Sequence, residues 1–174
     1  MNAEAVVAEL ALKARKASRT LSTATGAQRK AALEAIAQAM ESRSFEILAA
    51  NELDMVAARA ENMHPQMQDR LLLNSERIAG IAGGARQVAA LPDPLRQTLR
   101  KSTLPNGLEL EQISVPFGVI GMVYEARPNV TVDAAVILLM SGNAALLRGS
   151  STAHNSNEIL VKVMKDALAT TKIS

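Results

Sequence analysis

Two short apolar runs, Gly118-Val119-Ile120-Gly121-Met122-Val123-Tyr124 and Ala144-Ala145-Leu146-Leu147, flank a stretch with helical character, Val130 to Met140. Runs this short and this uniformly apolar suit strands buried on both faces. An amphipathic segment follows from Ile159 to Leu168, with Ile159, Val163, Met164 and Ala167 on one side. The order strand, helix, strand, helix leaves few topologies open. It predicts parallel strands joined by a right-handed crossover. Residues 115–174 therefore predict the opening of an α/β domain with a parallel sheet.

The preceding chain has a different period. Over the first 90 or so residues, apolar positions recur at helical spacing, beginning with Val6, Val7, Leu10, Ala14 and Ala17. Thr25 followed by Gln28 forms a capping-box pattern. Leu33, Ile36, Met40, Ile47 and Leu48 then mark one buried stripe, with Ser42 to Ser44 weakening or bending its helix. His64-Pro65 marks a break, because a residue before proline avoids the α region. A short helix is expected from Met67 to Leu72. Asn74 or Ser75 would cap the next, which turns Ile78, Ile81 and Val88 inward. Leu91-Pro92-Asp93-Pro94 closes this helical region, placed at 1–95. In 96–114, Asn106-Gly107 predicts a hairpin with a two-residue turn, since both residues accept positive φ.

Composition narrows the function. Aromatic residues are only 2% of the 174, so the core must be built from Leu, Ile, Val, Ala and Met, which favours helices. The 174 residues include no cysteine, which excludes disulfides, thiolate metal sites and a cysteine nucleophile within them. Net charge is +2. The basic cluster Lys13, Arg15, Lys16 and Arg19 spreads around a helix, as a solvated face does, so no nucleic acid is expected as a partner. His64 and His154 have no ligand-like neighbours, and no metal site is expected. Glu4 and Glu9 interrupt the apolar N-terminus, unlike a signal peptide. No apolar run reaches membrane-spanning length, so no membrane partner is expected and a cytoplasmic location is the default.

In open α/β sheets, ligands bind beyond the carboxyl ends of the strands. Two such ends are visible: Tyr124-Glu125-Ala126-Arg127-Pro128-Asn129 and Arg148-Gly149-Ser150-Ser151-Thr152. Each precedes a helix whose free N–H groups attract an anion. Arginine, glycine and hydroxyls at the second end suit a nucleotide phosphate, and an arginine near the ribose favours a 2′-phosphate. The blander alternative makes Arg148 a surface residue and Ser150 or Ser151 a helix cap. No G-x-G-x-x-G or Walker A sequence occurs.

The segments Val115-Pro116-Phe117-Gly118-Val119-Ile120-Gly121, Tyr124 to Asp133, Ser141-Gly142-Asn143-Ala144 and Leu147-Arg148-Gly149 together resemble the γ-glutamyl phosphate reductase family of the aldehyde dehydrogenase superfamily. Asn51-Glu52-Leu53-Asp54 and Asp69-Arg70-Leu71 fit it as well. The resemblance implies an aldehyde-dehydrogenase-like fold, with residues 115–174 as the first half of its Rossmann-like NADP-binding α/β domain, and a soluble homo-oligomer. It also implies NADPH-dependent reduction of L-glutamyl 5-phosphate to L-glutamate 5-semialdehyde in proline biosynthesis, through a cysteine thioester. Asn129 would help form the oxyanion hole, although it could also act as an Asx-type helix cap. Tyr124, Glu125 and Ala126, with Arg148, Gly149 and Ser150, would contact NADP(H). Arg127 would meet the substrate's phosphate or carboxylate, or else pair with Glu125 or Asp133. Family members often carry a second glycine and then an acidic residue where Ser150 and Thr152 stand here, which leaves the ribose contacts open. They are also more than twice as long. The expectation is therefore an N-terminal fragment, without the catalytic domain and inactive alone, that exposes sheet edges and apolar helix faces. The alternative is a non-catalytic helical interaction module that keeps the fold.

Overall fold

Helix boundaries fall where side chains can satisfy free backbone N–H groups. In a computed structural model, which describes residues 2–173, helix α1 (Ala3–Thr23) is capped by Asn2, whose Oδ1 accepts from Ala5 N at 2.8 Å. Helix α2 (Gly26–Ser42) opens with a reciprocal capping box. Gln28 N donates to Thr25 Oγ1 at 3.2 Å, and Thr25 N donates to Gln28 Oε1 at 2.8 Å. The bend expected near Ser42 is a full break at Arg43, after which α3 (Ser44–Ala60) starts at once. Helix α4 (Pro65–Leu71) begins two residues before the expected Met67, because proline at the first helical position is preset in φ and needs no hydrogen bond there. Asn74 caps α5 (Ser75–Ala90) by accepting from Arg77 N at 2.8 Å.

The stripe on α2 and α3 becomes the core. Leu33, Ile36, Met40 and Ile47 are fully buried. They join Ile78 and Ile81 of α5, Val132 and Val136 of α6 (Pro128–Met140), and Leu160 and Val163 of α7 (His154–Ala169). Arg29 of α2 is buried too. Its guanidinium forks onto Asp93 at 2.6 and 2.7 Å, pinning the connection after α5 to the start of α2.

Strands β1 (Thr98–Thr103) and β2 (Glu109–Ile113) form an antiparallel hairpin. Its turn differs from the expected two-residue form. Gly107 N donates to Leu104 O, and Leu104 N donates to Leu108 O, so three residues, Pro105-Asn106-Gly107, make the connection. Only Gly107 has positive φ, at 82°. In a two-residue turn at Asn106-Gly107, Pro105 would have to donate to Leu108 O; proline has no N–H, so Leu104 makes that bond and Pro105 joins the loop.

Strands β3 (Val119–Val123) and β4 (Ala144–Arg148) form a separate, parallel pair, in register from Val119 opposite Ala144 to Val123 opposite Arg148. Helix α6 links them. It ends in a Schellman motif, with Gly142 at φ 74° and Asn143 N donating to Leu138 O at 2.8 Å. Asn143 Oδ1 also accepts from Gly118 N at 2.8 Å, which joins the two strand starts.

Two burial expectations fail. On α1, Ala14 and Leu21 are buried, but Val6, Val7 and Leu10 are exposed. On β3, Val119 and Ile120 are half-buried, whereas Gly121, Met122 and Val123 face solvent, Val123 at 83%. Helix α1 packs on β4 and β3 through its C-terminal half, and its first two turns run past them. The apolar pattern is present in both elements, but no described element covers those residues. Ile137 on α6 and both faces of the hairpin are likewise exposed. Large apolar side chains left in solvent favour association where they adjoin.

Candidate functional site

The parallel register places the ends of β3 and β4 side by side on one rim of the sheet. Tyr124 N donates to Arg148 O at 3.1 Å, one residue beyond the ladder. At Gly149, next along the chain, there is no room for a side chain. A Cβ at Gly149 would lie 2.3 Å from Asn157 Nδ2 and 3.0 Å from Tyr124 Cε2. Beneath it runs a polar chain. Tyr124 Oη and Thr131 Oγ1 are 2.8 Å apart, and Thr131 Oγ1 donates to Asn157 Oδ1 at 2.7 Å. This network fixes the Tyr124 ring against Gly149 and ties both tips to α6 and α7.

After Gly149, Ser150 Oγ accepts from Thr152 N at 3.3 Å and caps the 3₁₀ turn Ser151–Ala153. The start of α7 has no cap from its own segment. Asp54 of α3 supplies it from a distance of about a hundred residues. Its Oδ1 accepts from Asn155 N and Nδ2 at 3.1 and 2.8 Å, and its Oδ2 accepts from Ser156 N and Oγ at 2.8 and 2.6 Å. A carboxylate at a helix N-terminus is favoured by both hydrogen bonding and the helix dipole. One turn earlier on α3, Asn51 Nδ2 donates to Leu71 O and Ser156 Oγ, and its Oδ1 accepts from Leu73 N. The Asn51 to Asp54 segment thus holds the β4 tip in place. Burial of two polar side chains was the signal missing from a reading of residue types alone.

Two cavities open near the tips. One, of about 520 Å³, is lined by Arg148, Gly149 and Ser150 together with His154, Asn157, Lys162 and Lys165. Glu158 and Asp166 line it as well, and Asp166 pairs with Lys162 at 2.8 Å, so Arg148, Lys165 and the Ser150 hydroxyl are the groups that suit a phosphorylated ligand. Arg148 is exposed, and its guanidinium donates to the Gly149 carbonyl. The other cavity, of about 550 Å³, is lined by Arg70, Arg77, Arg127, Asn129, Asp69 and Asp133, among others.

Asn129 occupies the second position of α6 and does not cap it; the cap residue is Arg127. Its Nδ2 donates to Asp133 Oδ2 at 3.0 Å, one turn on. A carboxylate oxygen accepts and cannot donate, so this bond fixes which end of the amide is nitrogen. The second N–H of Asn129 has no hydrogen-bond partner among the described residues. Burial of Asp133 pushes its carboxyl above the usual carboxylate range, against the opposing effect of the Asn129 hydrogen bond. Arg127 Nε lies 2.8 Å from Glu125 Oε1, but at an angle that leaves its N–H without a hydrogen-bond partner.

The expected site residues are therefore divided. Arg127 and Asn129 share the second cavity, whereas Arg148, Gly149 and Ser150 line the first. Tyr124 packs at the base of the β4 tip. Glu125 turns to Arg70 and Arg127, and Ala126 packs against the small apolar cluster of Met55, Ala58, Leu71 and Ala153. Among the described residues, no group of three or more His, Cys, Asp or Glu side chains is placed to hold a metal ion. No described helix is long and apolar enough to cross a membrane.

No protein-family model matches the chain. Individual proteins do. Over 165 residues the chain is 53% identical to γ-glutamyl phosphate reductase from Geobacillus thermodenitrificans, covering 95% of this chain and 40% of that protein. The crystal structure of γ-glutamyl phosphate reductase from Thermotoga maritima superposes with a TM-score of 0.93 at 39% identity, covering 95% of this chain and 40% of that one. An acetylating aldehyde dehydrogenase from Geobacillus thermoglucosidasius matches at a TM-score of 0.60 and 14% identity over 92% of this chain and 33% of its own. The last match shows the aldehyde-dehydrogenase-like fold alone. The chain thus spans about 40% of the length of the curated relatives it matches.

Proposed function

We infer that this chain supplies the N-terminal part of a γ-glutamyl phosphate reductase. In that enzyme it contributes to the NADPH-dependent reduction of L-glutamyl 5-phosphate to L-glutamate 5-semialdehyde, a step of proline biosynthesis. The observation that carries this reading is the 53% identity to such an enzyme across 95% of the chain. The geometry is compatible with it, because both strand tips lie on one rim with an arginine-bearing cavity beside each.

The nicotinamide cofactor, when bound, supplies the hydride. Arg148, Gly149 and Ser150 would hold its phosphorylated end, and Arg148 there favours NADPH over NADH. Tyr124 braces the tip from below. Asn129 directs its free amide N–H at the oxygen that gains charge when the acyl carbon is attacked, a donor worth about 3 kcal/mol of barrier in comparable sites. Asp133 keeps that amide in the donating orientation. Arg127 faces an anionic end of the substrate. The nucleophilic thiol lies outside these 174 residues, which contain no cysteine. We place the enzyme in the cytoplasm as a homo-oligomer, consistent with the exposed apolar surface of the hairpin.

A chimera tests this reading. The chain replaces the matching segment of the Geobacillus enzyme, and phosphate-dependent NADP⁺ reduction by glutamate 5-semialdehyde is followed. The chimera is expected to turn over and the chain alone is not. A folded chimera without activity refutes the assignment.

A further inference from the structure

Beside the second cavity lies an arrangement that the proposed chemistry uses only in part. Arg70 at the C-terminal end of α4 and Arg127 at the N-terminus of α6 converge on one carboxylate, that of Glu125. Arg70 Nη1 is 3.3 Å from Glu125 Oε2, and Arg127 Nε is 2.8 Å from Glu125 Oε1. Neither contact is tight. The first is long for a charge-assisted bond, and the second is misaligned, so the buried Nε–H of Arg127 has no acceptor. Arg77 is engaged differently. Its guanidinium donates to the Asp69 and Leu72 carbonyls and to Asp69 Oδ1, so it stiffens the end of α4 that carries Arg70. Arg70, Arg127 and Asn129 line one cavity of about 550 Å³, room enough for a small polar molecule.

We propose that Arg70 and Arg127 form a two-arginine clamp for an oxyanion of the ligand, and that Glu125 is the internal counter-ion this oxyanion displaces. The proposal rests on the functional reading above and adds Arg70 and Glu125 to it. A phosphoryl or carboxylate group entering the clamp restores an acceptor to Arg127 Nε and engages both guanidinium forks, which Glu125 does only partially. The released Glu125 is half exposed and returns to solvent at little cost. The clamp also sets one end of the ligand at a fixed position relative to the Asn129 amide.

The shared chemistry is an oxyanion, and the experiment separates its two sources. The full chain is titrated with inorganic phosphate in one arm and L-glutamate in the other. Arginine Nε–Hε resonances are followed by NMR and assigned with R70Q and R127Q. Saturable shifts of both resonances in either arm, at millimolar ligand, support the clamp and identify the group it takes. R70Q should weaken that binding about tenfold, a typical loss for one charge-assisted contact. E125Q should strengthen it several-fold by removing the competing carboxylate, whereas K101Q on the distant hairpin should leave it unchanged.

All three clamp residues are half exposed, so folded variants are expected, and circular dichroism checks this. No saturable shift in either arm overturns the proposal, as does an E125Q chain that binds no more tightly than the parent. An active chimera whose arginine resonances do not move sinks the clamp alone. Saturable binding by a chain whose chimera is inactive sinks the functional reading and leaves the site standing.

Discussion

Replacing Asp54 with asparagine tests whether a buried carboxylate on α3 holds the start of α7 and, through it, the β4 tip. Asp54 is 3% exposed and accepts four hydrogen bonds, two on each oxygen. Asparagine keeps the shape but places an NH₂ group where one oxygen was. If the amide nitrogen replaces Oδ2, it faces Ser156 N, donor against donor. Ser156 Oγ can rotate to accept, but the backbone N–H cannot. The variant thus loses the charge assistance of the remaining bonds and strands one buried donor. Lost hydrogen bonds to a charged group cost about 1.5–3 kcal/mol each, and an orphaned buried donor about 1–3 kcal/mol. Partial relaxation of Asn155, whose side chain is only half-buried, lowers the sum, so we expect about 3 kcal/mol. For a chain of this size that corresponds to a Tm lower by about 6–12 °C. Urea denaturation of the parent, D54N, S156A and the double variant measures the loss and the coupling, which should reach about 1 kcal/mol because the two side chains share a bond. E52Q, on the exposed face of the same helix, is the control and should stay within about 0.5 kcal/mol. A D54N loss below about 1 kcal/mol, or no coupling to Ser156, refutes the reasoning.

G142A should lose about 1–3 kcal/mol in the same assay, because position 142 has a φ of 74° and its new Cβ would lie 2.7 Å from Leu95 Cδ1. G80A, where a Cβ meets nothing within 4 Å in mid-helix, should instead be neutral or stabilising. Asp133 predicts a pH dependence. Burial raises its carboxyl pKa in the folded state, so the folded chain binds the proton more tightly than the unfolded chain. The resulting penalty is absent below the unfolded value, near 3.8, and grows as pH rises through the raised folded value. D133N removes the titration. The stability difference between D133N and the parent should therefore move in favour of the variant on going from pH 3 to pH 7. A pH-independent difference refutes the assignment.

Several local bonds were legible in the sequence. Thr25 with Gln28, and Asn74 with Arg77, start their helices for reasons contained in the residues themselves. The alternation of apolar runs and helical stretches after residue 115 implied the parallel pair, because a crossover helix between two short strands leaves no simpler arrangement. The turn at Asn106-Gly107 is equally local but depends on Pro105, whose missing N–H moves the strand pairing out to Leu104.

What the sequence determined by itself was which segments are helix or strand and which two strand tips carry polar side chains. Whether an apolar face is covered was not legible: Val6, Val7 and Val123 follow the same pattern as buried residues, and only the arrangement of neighbouring elements leaves them in solvent. Tertiary structure alone brought Asp54 to the N-terminus of α7 and Arg70 to Glu125, across separations of 102 and 55 residues. It also divided the expected site between two cavities. The physical reason is that secondary structure follows from bonds to near neighbours, whereas a site is defined by the distances between side chains on different elements, and those are fixed only once the core has packed.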